Sequence, residues 1–222
     1  MRGRIYERRS DLSPNGKHLI YFAMNGRWQS ETKGSWTAIS RVPYLKAITL
    51  LGKGDCWNGG GLFLSDRDYW LNGGHTELKA SEEVHENATY RPPAYYGGEC
   101  LTVYFNRLQR DGWVMKSDDY QGAVLFEKQL PKSWTLRKLA FAEIDQPHGR
   151  GCYWDAHELK QESTSTVLAF PEWEWAEFGR GRVVWAAEGQ LRAARLGTGK
   201  ITSERLLHDF NEMKFEAIRA SY

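Results

Sequence analysis

The residues best placed for acid–base or metal chemistry are Asp155 and His157, which are separated by a single position. On a β-strand, alternate side chains point to the same face, so the carboxylate and the imidazole would lie side by side. Together with His75 or His85 from a loop they could complete a metal site, because imidazole and carboxylate groups are common ligands. The alternative to a metal site is structural: either a surface pair or a histidine hydrogen-bonded to the aspartate within a sheet. We adopt this structural interpretation.

A second group of polar and aromatic residues precedes three consecutive glycines. Asp55 is followed closely by Trp57 and Asn58, and the glycines occupy residues 59–61. Asp55 is typical of a turn anchor that accepts backbone hydrogen bonds, or it belongs to a ligand-binding face. The glycines mark a bulge or a place where another backbone or a ligand comes close. No Lys-Ser or Lys-Thr pair follows them, which excludes a phosphate-binding P-loop.

The residues that we predict to form a binding face are aromatic, polar or both. They are Asp55, Trp57, Asn58, His75, Tyr95, Tyr96, Trp154, Asp155 and His157. The sequence contains no Gly-x-Ser-x-Gly elbow, His-Glu-x-x-His zinc helix, Gly-x-Gly-x-x-Gly turn or EF-hand loop. We therefore predict no catalytic residue, no bound metal and no cofactor.

The elements that must position these residues are short strands separated by glycine turns. The pattern is clearest in residues 173–210, where two turns contain glycines that tolerate positive φ. This segment predicts one four-stranded antiparallel sheet, as in a blade of a β-propeller. Its strands are residues 173–178, 182–187, 190–196 and 205–210.

The rest of the chain is interpreted as earlier copies of this unit. The predicted strands are residues 4–9, 19–22, 35–40, 44–51, 62–64, 69–71, 99–105, 112–115, 123–126, 134–142, 152–159 and 164–170. Residues 134–142 also fit one face of a helix. Residues 203–220 have helical spacing too, so a C-terminal helix competes with the last strand. We expect residues 76–93 to form an exposed loop, with room for one helical turn.

One turn carries a family resemblance. Ser13-Pro14-Asn15-Gly16-Lys17 precedes an apolar strand. It resembles the Ser-Pro-Asp-Gly-Lys signature of TolB-like and WD-type β-propeller repeats, with Asn15 in place of Asp, over about a dozen residues. The resemblance implies an interaction platform. With about 40 to 45 residues per blade, the chain has room for about five blades.

Composition restricts the partners and the compartment. The chain has 222 residues, which suits one domain, with 30 Lys and Arg interspersed with 28 Asp and Glu. Such a charge pattern argues against nucleic-acid and membrane binding. Residues 1–9 lack the apolar core of a signal peptide, and we expect a soluble, cytoplasmic protein. Cys56, Cys100 and Cys152 are too scattered for a disulfide framework, and we expect them to be buried.

These observations favour a non-catalytic β-propeller that binds a protein or another large ligand through its top-face loops. One alternative is a metal-dependent hydrolase or lyase that uses His75, Asp155 and His157 in the central funnel. A further alternative is a carbohydrate-binding module that uses exposed tryptophans.

Overall fold

A computed structural model describes residues 3–97, 99–142, 151–214 and 216–222 of the chain. Within these residues the chain is all-β, with one α-helix, α1 (Leu101–Arg110), and one short 3-10 helix (Glu162–Thr164). The strands are β1 (Arg4–Leu12), β2 (His18–Met24), β3 (Ser35–Arg41), β4 (Ala47–Gly52), β5 (Gly61–Phe63), β6 (Asp68–Leu71), β7 (Thr76–Lys79), β8 (His85–Glu86), β9 (Val114–Tyr120), β10 (Ala123–Leu130), β11 (Trp134–Ala142), β12 (Tyr153–Gln161), β13 (Thr166–Phe170), β14 (Trp175–Gly179), β15 (Arg182–Ala187), β16 (Gln190–Leu196) and β17 (Ile201–Asp209).

The chain divides into two compact units. The first contains Met1–Asp111 and Ile218–Tyr222, and the second contains Gly112–Ala217. Each unit holds two sheets, and none of the four sheets closes on itself within the described residues. The arrangement of sheets about a common axis, like the single-domain organisation, stays a prediction.

The larger sheet of the first unit has the order β1-β2-β3-β4-β7 and is antiparallel throughout. Its first four strands follow one another in the chain, which confirms the predicted meander. Strand β2 is apolar on both faces and almost fully buried, as expected for a strand in the interior of a sheet. The turn that carries the family resemblance joins β1 to β2, and Ser13 Oγ and Asn15 Oδ1 hydrogen-bond within it.

Strand β1 is interrupted by a bulge. Tyr6 pairs with Phe22 and Asp11 pairs with Ile20, so β1 has extra residues between these two pairs. An irregularity of this kind redirects side chains that a regular strand would place on alternate faces. Arg9 lies in this irregular stretch and is only 1% exposed.

The smaller sheet of the first unit, β5-β6-β8, packs on the larger one. Their shared core includes Ile20, Ile39, Phe63 and Leu71. Helix α1 covers the other face of the small sheet, where Val103 packs with Leu62 and Trp70.

The helix corrects the prediction of a strand at residues 99–105. The segment is rich in β-favouring residues, but burial of one helical face outweighs that weak local preference. Val103 is fully buried, and Tyr104 and Phe105 are nearly so. The spacing of Leu101, Tyr104, Phe105 and Leu108 is the helical signal that the prediction missed.

The second unit consists of two antiparallel meanders, β9 to β13 and β14 to β17. The second meander confirms the four strands that the glycine turns of residues 173–210 predict. Residues 134–142 form strand β11, so the alternative helix is wrong there. Residues 201–209 form β17 and pair with β16, so the strand is confirmed there and the competing C-terminal helix is wrong.

Two further predictions need correction. Residues 76–93 contain the short strands β7 and β8 in place of a helical turn, since their backbones hydrogen-bond to β4 and β6. Cys100 is buried as expected, whereas Cys56 is half-buried and Cys152 is exposed. None of the three forms a disulfide within the described residues.

In the part of the chain that the structure describes, no helix is long and apolar enough to span a membrane.

Candidate functional site

The predicted binding residues fall into both units. Asp55, Trp57, Asn58, His75, Tyr95 and Tyr96 belong to the first unit, whereas Trp154, Asp155 and His157 belong to the second.

The first group centres on residues 53–60, which join β4 to β5 and which we call the Trp57 loop. One carboxylate oxygen of Asp55 accepts the backbone N–H of Trp57 at 2.9 Å, and the other accepts a hydrogen bond from Lys53 at 2.8 Å. Asp55 is therefore the turn anchor that the sequence predicts. Asn58 adopts φ +57°, in the left-handed region that asparagine tolerates better than most residues. The Trp57 side chain extends into solvent, and the residue is 62% exposed.

Arg9 holds this loop from inside the unit. Its Nη1 donates to the carbonyl oxygen of Cys56 at 2.7 Å and to that of Asn58 at 2.6 Å. These two residues flank Trp57, so the guanidinium fixes the backbone on both sides of the exposed indole. Hydrogen bonds from a charged donor are about twice as strong as neutral ones. The loop is thus held by a buried cation and not merely by its own turn.

The same guanidinium connects the loop to the start of helix α1. Its Nη2 donates to a carboxylate oxygen of Glu99 at 2.6 Å, which balances the charge. The group also lies over the rings of Tyr6 and Phe22, at 5.2 and 4.7 Å from their centroids. Sequence reasoning missed Arg9 because a buried arginine is recognised only through its partners, which are distant in the chain.

The three glycines explain how Arg9 and the loop come so close. A Cβ atom at Gly59 would overlap the Phe22 ring, one at Gly60 would overlap the Arg9 carbonyl oxygen, and one at Gly61 would overlap the Trp70 carbonyl oxygen. The prediction of close backbone approach is confirmed. The N–H of Gly59 donates to Asn72 O, and that of Gly60 donates to Thr37 Oγ1. These donors are already used, which supports the exclusion of a phosphate cradle.

The turn that precedes His75 lies against the Trp57 loop. A Cβ atom built on Gly73 would be 3.2 Å from the Asn58 Cβ. His75 Nε2 lies 3.5 Å from a carboxylate oxygen of Glu86. The structure therefore brings Asn58 next to the turn that leads to His75.

The two predicted tyrosines precede helix α1. Tyr96 is anchored to it, because its backbone N–H donates to Thr102 Oγ1 and its ring lies 5.0 Å from the Phe105 ring. Tyr95 is 66% exposed. Of this pair, Tyr95 is the one available to a ligand, and Tyr96 is a structural residue.

In the second unit, Asp155 and His157 do point to the same face of β12, as predicted, but that face is buried. Both side chains reach Lys138 on β11: its Nζ lies 3.3 Å from Asp155 Oδ2 and 2.8 Å from His157 Nε2. Lys138 and His157 are each 1% exposed. The sequence offers no signal for a lysine buried on a neighbouring strand.

The hydrogen bonds determine which imidazole nitrogen carries the proton. His157 Nδ1 lies 2.8 Å from the carbonyl oxygen of Trp173, which can only accept, so Nδ1 is the donor. In neutral His157, Nε2 then accepts from the Lys138 ammonium. Burial, and next the charge of Lys138, lower the pKa of His157 to about 3. The free electron pair of Nε2 accepts a hydrogen bond from the Lys138 ammonium group, whereas in a metal ligand it would bind the metal ion.

Trp154 lies on the other face of β12, since adjacent residues of a strand alternate. Its ring stacks on that of Phe141, the cross-strand neighbour, with centroids 4.7 Å apart. Among the described residues, no group of three or more His, Cys, Asp and Glu side chains is arranged to hold a metal ion.

The second unit also has an open depression of about 260 Å³ where the start of β9 lies beside the end of β10. It is lined by Gly112, Val114, Lys116, Glu127, Lys128 and Gln129. None of the predicted binding residues lines it, so it adds nothing to the predicted face.

Fold and site together define an all-β protein of antiparallel meanders with an exposed tryptophan on a firmly held loop. Comparisons of the chain with protein-family models, curated proteins and solved structures found no significant match.

Proposed function

We propose that the protein is a non-catalytic interaction platform that binds a protein or another large ligand through the Trp57 loop. The observation that carries this proposal is the exposed indole of Trp57 on a backbone clamped on both sides by buried Arg9. Tryptophan is enriched among the residues that dominate binding energy at interfaces. A loop that is already ordered loses little conformational entropy on binding, so more of the contact energy contributes to affinity.

The polar surroundings of Trp57 support the same proposal. Exposed aromatic surface with adjacent hydrogen-bonding groups is typical of recognition surfaces, where the ring supplies contact area and the polar groups supply specificity. Asn58 is exposed beside Trp57, and the turn before His75 adjoins it. Asp55 contributes differently, because it holds the turn.

The proposal includes the β-propeller arrangement. It is supported by two meanders of four successive strands, β1 to β4 and β14 to β17, whose length and connection suit blades. In such a fold the loops between strands gather at one end, where they present a binding face.

The proposal is tested by capture of ligands on the immobilised full chain, with the variant Trp57→Ala and the matched control Trp175→Ala. Both tryptophans are exposed, at 62% and 45%, so both variants should fold with wild-type stability. Replacing a hot-spot tryptophan costs about 2 to 4 kcal/mol of binding free energy, a loss of roughly 30-fold or more in affinity. We expect that loss for Trp57→Ala alone. Equal binding by Trp57→Ala and wild type would refute the proposal.

A carbohydrate is the second candidate for the ligand. Trp57 presents an apolar ring face, and the Asn58 amide beside it can both donate and accept hydrogen bonds, as sugar hydroxyls require. Binding to a glycan array that is lost in Trp57→Ala would identify this ligand class. Binding to a protein and to no glycan would reject it.

A further inference from the structure

We propose that Lys138, Asp155 and His157 form an acid-sensitive latch between the two sheets of the second unit. The inference is independent of the proposed function, since it concerns buried residues of the other unit.

The latch joins the sheets through His157 and Trp173. His157 lies on β12, in the sheet β9 to β13, and its Nδ1 donates to the Trp173 carbonyl oxygen. Trp173 precedes β14, and the next residue, Glu174, already pairs with Ala186 of β15. The imidazole therefore bonds the five-stranded sheet to the first residues of the four-stranded one.

The Trp173 ring is part of the same junction. It stacks between Phe170 and Trp185, with centroid distances of 3.8 and 4.6 Å. Phe170 is the last residue of β13 and Trp185 lies on β15, so this stack also crosses from one sheet to the other. Movement of the Trp173 backbone would disturb both contacts.

Protonation of His157 is incompatible with this arrangement. Nε2 now accepts from Lys138, 2.8 Å away. A proton on Nε2 would place two donors and two positive charges against each other in a buried site. Asp155 can neutralise only one of them.

The other charged groups around the site are already committed. Across the sheet interface, Glu177 of β14 accepts from Trp113 Nε1 at 3.1 Å and from Lys128 of β10 at 2.7 Å. Lys128 and Lys138 both lie over the Trp113 ring, at 5.6 and 5.2 Å. Strand β13 contributes only apolar Phe170 opposite His157. Among the described residues around His157, a second buried cation therefore has no uncommitted carboxylate beside it.

The direction of the pH effect follows from linkage. Burial and Lys138 lower the pKa of His157 in the folded protein, so the unfolded or opened state binds the proton more readily. Closure of the latch is fully favoured above the ordinary histidine pKa, about 6.5, and weakens as the pH falls below it. Between pH 7.5 and 5.0 the opening constant should rise roughly 30-fold, since only the opened state takes up the proton.

The test is hydrogen–deuterium exchange of the full chain at pH 7.5 and 5.0, corrected for the intrinsic pH dependence of exchange. Most carboxylates remain ionised in this window, so histidines dominate the change. We expect β12 and β14 of the wild type to lose protection at pH 5.0. His157→Gln keeps a neutral donor and acceptor and should remove that loss. The matched control His208→Gln, at an exposed residue of β17, should behave as the wild type.

A second variant keeps the test decisive if His157→Gln folds poorly. Lys138→Met removes the ammonium and leaves Asp155 to stabilise a protonated His157, so the acid sensitivity should shrink. Wild-type protection that is the same at both pH values would overturn the proposal. So would an undiminished acid sensitivity in His157→Gln or Lys138→Met.

Discussion

The two terminal nitrogens of Arg9 exchange the water that they bind in solution for acceptors of the protein, whereas its buried Nε has no hydrogen-bond partner among the described residues. Two carbonyl oxygens and one carboxylate accept from its two terminal nitrogens, and two aromatic rings lie beneath it. Burial of a charge is tolerated only with such compensation. The position of Trp57 on the surface therefore depends on a residue that a ligand never touches.

This dependence predicts the effect of Arg9→Met, which keeps much of the side-chain volume and removes the donors. Two carbonyl oxygens and Glu99 lose their partner, and we expect a loss of about 2 to 4 kcal/mol in the free energy of unfolding. The measurement is urea denaturation of both proteins. Arg195→Met, at an exposed arginine of β16, is the control and should stay within about 0.5 kcal/mol of the wild type. A stable Arg9→Met protein would show that the clamp is dispensable.

At the scale of elements, the junction between the Trp57 loop and β5 depends on close contact with the bulge of β1. Gly60 has φ +72° and packs against the Arg9 backbone. Gly16, in the turn between β1 and β2, has a similar φ of +68° but open space where a Cβ would be. Substitutions at these two glycines can therefore distinguish the free-energy cost of a left-handed backbone from that of an overlap between atoms.

We therefore expect Gly16→Ala to lower the free energy of unfolding by about 1 kcal/mol, the cost of a left-handed alanine. Gly60→Ala adds an overlap with a main-chain oxygen, and its cost should reach roughly 3 kcal/mol or more. Thermal or urea unfolding of both variants measures the difference. Equal effects would mean that Arg9 and Gly60 are not in close contact in solution.

Elements with a strong local signal were predictable from the sequence. Glycine turns delimit the strands of residues 173–210 because reversal of an antiparallel pair requires positive φ there. Helix α1 was not predicted, because the β-favouring types of its side chains were given more weight than their helical spacing, which its packing against Leu62 and Trp70 reinforces. Strand β11 was ambiguous because the spacing of its apolar residues fits one face of a helix as well as a strand. The alternation of buried Leu136 and Lys138 with half-buried Arg137 is visible only in the folded sheet.

The candidate site shows the same limit. Asp55, Trp57 and Asn58 were predictable because their roles depend on neighbours in the chain. Arg9 and Lys138 were not, because each acts on residues that are far away in sequence. The predicted pairing of Asp155 with His157 on one face is correct, whereas the cation between them comes from another strand.

At the scale of the whole molecule, the sequence predicted an all-β protein, and the structure is one. The propeller arrangement and the binding role remain proposals. The binding role has one requirement that can be tested. A ligand must meet the protein at the Trp57 loop, while exposed aromatic residues elsewhere stay free of it.

Site-specific photocrosslinking tests most directly whether a ligand contacts the Trp57 loop. A benzophenone amino acid replaces Gly74 in the full chain, because this exposed residue lies in the turn against the Trp57 loop and has open space where a Cβ would be, so that Trp57 itself is kept. In a matched protein the same amino acid replaces Trp175, which is exposed on β14 of the second unit. After irradiation in cells that express the protein, we expect a discrete adduct of higher mass from position 74 and none from position 175. The absence of an adduct at position 74, or the same adducts from both positions, would contradict the assignment of the Trp57 loop as the binding site.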